Sequence, residues 1–101
     1  MSNGPFGIMG HDNGEMIVCR PEVVAFAIEM EKKLRENDHK PGWHQDHHEA
    51  LLNRTSQELC ELVKSCELGT DYEVVAEAAD VANFVMFIAD NRMKWSEGHR
   101  A

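Results

Sequence analysis

Residues 74–87 read VVAEAADVANFVMF, and the fold turns on how that run is placed. Val74, Val75, Ala78, Val81, Ala82, Phe84, Val85, Met86 and Phe87, continued by Ile88 and Ala89, surround nearly the whole circumference of a helix instead of forming one stripe. Such a helix, predicted from about Tyr72 to Met93, needs cover on every side. Two more helices in a chain of 101 residues cannot supply it. The expectation is therefore an all-α helical bundle, with three main helices per chain, completed by assembly into a homodimer or homotetramer.

Working towards the N-terminus, Leu52, Leu59, Val63 and Cys66, with Leu62 beside them, follow the three-and-four spacing of an amphipathic helix from about His47 to Leu68. Gly69 ends it, as glycine commonly does, and Thr70 and Asp71 offer a cap for the helix that follows. Pro21 suits a first helical position, and Val24, Ile28 and Leu34 share one side of a helix reaching Asn37. Pro41 and Gly42 break the chain between these two helices, with Asp46 or a neighbour as the next cap. Four of the seven glycines fall in residues 1–19, a loose arm in which MIVC (residues 16–19) is a short extended piece. The division is then an arm at 1–19, a helical domain at 20–95 and a polar tail at 96–101.

Ten basic residues against eighteen acidic ones give a formal charge of −8, which repels a nucleic-acid backbone. Any phosphate ester bound here needs a divalent cation to invert the local charge. Three cysteines, without a paired or C-x-x-C spacing, fit a reducing compartment. No stretch reads as a membrane span or a secretory leader, so the expected location is cytoplasmic, with no membrane partner.

Glu77 and Asp80 interrupt the apolar run. A carboxylate in such surroundings is costly unless paired or bound to metal. Three residues apart, the two acids lie on one helical face, and Glu58 and Glu61 repeat the arrangement on the preceding helix. A short connection makes those helices antiparallel neighbours, so the four acids can converge, and hard oxygen ligands select Mg²⁺, with Mn²⁺ as substitute. Taken alone, Glu58 and Glu61 are an ordinary solvated face, whereas Glu77 and Asp80, set in an apolar run, are less easily dismissed; the informative feature is the two pairs together. His44 and His48 have a chelating spacing but no further ligand nearby, and are read as a polar helix start. The Gly10-His11-Asp12 stretch, in the glycine-rich arm, is a weak phosphohydrolase signal. A ferritin-like di-iron site is excluded, because neither Glu58 nor Glu77 is followed three residues later by histidine.

At these residues the chain resembles the MazG-like all-α nucleoside triphosphate pyrophosphohydrolases of the short single-domain type. Their pattern of E-E-x-x-E, a spacer and E-x-x-D stands here as QELCE, fifteen intervening residues and EAAD. Gln57 replaces the first acid of the doublet. The resemblance implies that Glu58, Glu61, Glu77 and Asp80 are Mg²⁺ ligands. It also implies hydrolysis of (deoxy)nucleoside triphosphates to monophosphate and pyrophosphate, with Glu58 or Glu61 taking a proton from water. Candidate substrate contacts are Asn83, one turn beyond Asp80; Asn91 and Lys94, near the helix end; and Lys40 and Trp43, as a cation and a stacking surface. For Asn83 a helix–helix hydrogen bond competes with that role, and for Trp43 a plug at the end of the bundle. The alternative for the whole chain is a non-enzymatic helical oligomer acting as a regulatory or interaction module, which leaves Glu77 and Asp80 without a partner.

Overall fold

The computed structural model describes residues 9–12 and 14–93. Three helices make up the body: α1 (Pro21–Glu36), α2 (His48–Leu68) and α3 (Asp71–Met93). The chain is all-α in its packed body, and the helix boundaries fall within a residue of those predicted from the sequence. In the arm, the extended piece expected at residues 16–19 falls largely in a strand, and its pairing into a hairpin is the new feature. There, β1 (Met9–Asp12) and β2 (Glu15–Val18) pair antiparallel, with Asp12 opposite Glu15. Gly14, at φ +83°, supplies the left-handed backbone that so tight a connection requires.

Local chemistry accounts for the helix ends. Pro21 occupies the first turn of α1, where its missing N–H leaves no bond unmade. The Nδ1 atom of His47 accepts from the Glu49 N–H at 3.4 Å to start α2. Thr70 and Glu73 form a reciprocal capping box for α3: the Thr70 N–H donates to Glu73 Oε1 at 2.8 Å, and the Glu73 N–H donates to Thr70 Oγ1 at 3.2 Å. Gly69 closes α2, but with φ −96° and ψ 178° it is extended and not left-handed. Glycine is needed there for space, since a Cβ would stand 2.8 Å from the Ser65 carbonyl oxygen.

Helix α3 is central and packs against both α1 and α2, most extensively α2. Among the described residues, Val24, Leu51 and Ala79, one from each helix, are the buried apolar ones. Helix α2 meets the body through Leu51, Thr55, Glu58, Leu62 and Ser65. Its strongest apolar stripe, Leu52, Leu59 and Val63, together with Cys66, is exposed on another face. The periodicity found the helix, yet the apolar face it identified is not the one that contacts α3. Val75 and Val85 of α3 are exposed as well. Within one chain, therefore, α3 is not covered on every side.

Candidate functional site

The turn at Gly69 and Thr70 folds α3 back along α2, and this brings acids from both helices together. Glu58 of α2 and Glu77 and Asp80 of α3, all half-buried, each offer a carboxylate oxygen, and these oxygens lie within 4.8 Å of one another. Glu61 falls outside this triad. It is exposed and pairs with Lys64 at 3.4 Å on its own helix, though it remains close enough to Glu77 to act on its charge.

The electrostatics record the crowding. Desolvation, followed by Asp80, Glu58 and Glu61, pushes the Glu77 carboxyl above the usual carboxylate range. Asp80 is also raised, mainly by burial, although Lys33 pulls in the opposite direction. Lys33 reaches across from α1 to place Nζ 3.6 Å from Asp80 Oδ2 and 3.5 Å from Glu36 Oε1. Burial works against its charge, but the two acids outweigh burial and hold the ammonium above the ordinary lysine value. Arg54 answers Glu58 at 3.1 Å and lies over the Phe84 ring, 5.0 Å from its centroid.

Beside the triad, α1, α2 and α3 enclose a cleft of about 960 Å³ that Asp80, Glu58, Asn83, Phe84 and Trp43 help to line. Its far end is set by Trp43. The indole stacks on Phe87 with centroids 4.4 Å apart and planes 13° apart. Trp43 Nε1 donates to Asp90 Oδ2 at 2.9 Å, and Asn91 Nδ2 donates to the Trp43 carbonyl at 3.1 Å. His44 Nδ1 stands 3.6 Å from the same Asp90 oxygen. Asp90 is only 7% exposed, so these bonds explain how its carboxylate tolerates burial.

Of the residues singled out from the sequence, three of the four acids meet, and Glu61 stands one turn away. Asn83 is 4% exposed, and its Nδ2 donates to the Met30 carbonyl at 3.0 Å, a bond between α3 and α1. Its Oδ1 is buried without a partner. Trp43 and Asn91 are committed to each other at the end of the bundle, Lys40 lines the cleft, and Lys94 lies outside the described residues. His44 and His48 join no cluster of three metal-ligating groups among the described residues. The sequence reading passed over Lys33, Arg54 and Asp90. Arg54 was legible as an i, i+4 partner of Glu58, whereas Lys33 and Asp90 have partners 47 residues away in the chain.

Comparisons of the chain with protein-family models, with curated proteins and with solved structures give no match. Among the described residues, no helix is long and apolar enough to cross a membrane.

Proposed function

We propose that the chain is a Mg²⁺-dependent nucleotide pyrophosphohydrolase, converting (deoxy)nucleoside triphosphates to monophosphate and pyrophosphate, with Mn²⁺ able to substitute. The observation that carries the reading is the meeting of Glu58, Glu77 and Asp80 at the wall of a cleft that also holds aromatic rings. Three hard oxygens with no softer donor suit a small divalent cation. The three oxygens lie within 4.8 Å of one another, on the scale of the roughly 3 Å that separates adjacent octahedral ligands.

Glu58, Glu77 and Asp80 would hold the ion, which when bound would supply positive charge against the phosphates and lower the pKa of a water. Glu61, one turn away with its carboxylate exposed, takes the proton as water adds to the α-phosphorus and the bridging oxygen departs with pyrophosphate. Phe84 and the Trp43–Phe87 stack give the cleft apolar surface for a base, and Lys40 lies where a phosphate can be met. The resemblance to MazG-like enzymes points to the same reaction. The outer stripe of α2, at Leu52, Leu59 and Val63, is the surface for a second copy.

A panel of nucleoside and deoxynucleoside triphosphates with Mg²⁺, scored for pyrophosphate against orthophosphate, tests the proposal. Pyrophosphate release, abolished in Asp80→Asn and strongly reduced in Glu61→Gln, is the expected result. Orthophosphate alone, or activity unchanged in both variants, overturns it.

A further inference from the structure

Lys33 is the one cation of the described residues that reaches the acidic triad from a helix other than α2 or α3. Its approach to Asp80, at 3.6 Å, is longer than the roughly 2.7–2.9 Å of a well-made charge-assisted hydrogen bond. The same ammonium already pairs with a second carboxylate, Glu36, at 3.5 Å. Lysine presents a point charge on a flexible stem, so it can exchange acceptors without breaking the two-pronged geometry an arginine would make. By contrast, Arg54 is bonded to Glu58 on its own helix and rests over Phe84. Moving it would cost both contacts.

We propose that Lys33 is the resident counter-ion of the acidic triad, released from Asp80 and left on Glu36 when a divalent cation enters. The inference rests on the reading of Glu58, Glu77 and Asp80 as cation ligands. Two positive charges on one carboxylate repel each other, so Lys33 and the ion compete for Asp80. Glu36 keeps the displaced ammonium paired. The result is a site that holds a free divalent cation weakly, because part of its negative charge is already answered by the protein. An ion delivered with a triphosphate brings ligands of its own and meets the same competition with more to offset it.

Direct Mn²⁺ titration of the full chain without nucleotide, followed by electron paramagnetic resonance, tests the competition apart from catalysis. Lys33→Met keeps most of the length of the stem and removes the charge, and Lys33→Gln removes it on a shorter stem with a polar end; both are expected to bind Mn²⁺ about two- to fivefold more tightly than wild type, the scale of a partly exposed ion pair. Lys33→Arg, which retains the charge, stays at or below wild-type affinity. A lysine that merely tied α1 to α3 would loosen the site when removed, so unchanged or weaker Mn²⁺ binding in the Met and Gln variants overturns the proposal while leaving the cation site standing. Absence of Mn²⁺ binding at millimolar concentration in wild type and variants alike overturns both.

Discussion

The free energy of two side chains, Glu77 and Asp80, depends on pH in a definite direction. Both carboxyls are raised in the folded protein, chiefly by burial; Asp80, Glu58 and Glu61 add repulsion at Glu77, Glu58 adds it at Asp80, and Lys33 of α1 relieves part of both. A raised carboxyl favours its protonated form in the fold, so its contribution is present below the ordinary value of about 4 and is lost as pH rises through the elevated one. Metal-free protein is therefore expected to lose melting temperature across that window. Millimolar Mg²⁺ should remove the loss by binding the ionised form, and parallel melting curves with and without Mg²⁺ would show a gap that widens with pH. Asp90 gives a second outcome. Asp90→Ala frees the Trp43 indole from its acceptor and is expected to raise KM several-fold with a smaller change in kcat, whereas Asp90→Asn, which still accepts from Nε1, keeps most of the wild-type KM. Spacing in the sequence was enough to single out Glu58, Glu77 and Asp80. Lys33 and Asp90 were not legible because their partners are made by tertiary packing, which no local pattern encodes.

At the scale of elements, the α2–α3 hairpin sets the register of the site. Thr70→Ala removes one half of the capping box and should cost about 1 kcal/mol in chemical denaturation. Gly69→Ala gains roughly 0.5 kcal/mol from a stiffer unfolded chain but drives a Cβ to 2.8 Å from the Ser65 carbonyl. Overpacking of that kind costs about 1–3 kcal/mol, so the variant is expected to be the less stable by urea titration. Helix existence and extent were plain from periodicity and caps, since those signals are local. Two features were not. The β1–β2 hairpin hid behind glycines that read as a loose arm, although Asn13-Gly14 is itself a hairpin dipeptide. The inward face of α2 was misjudged because its packed residues include Thr55, Glu58 and Ser65, which hydropathy alone does not rank as core.

At the scale of the molecule, three buried apolar side chains among the described residues make a small core for three helices. Apolar surface remains on α2 and α3, and the proposed second copy would cover it. Leu59→Glu with Val63→Glu places charges on the outer face of α2, away from the triad. In size-exclusion chromatography with light scattering, the wild-type chain is expected to run as a dimer or tetramer and the double variant as a monomer of much lower melting temperature. A wild-type monomer at micromolar concentration would remove the assembly from the account.

Helix α2 carries Glu58 on one face and the Leu52, Leu59 and Val63 stripe on another. One rigid rod thus belongs both to the proposed cation site and to the proposed subunit contact, so the two equilibria are expected to be thermodynamically linked. Dilution that separates the copies should weaken cation binding, and by reciprocity a cation should tighten self-association by the same factor.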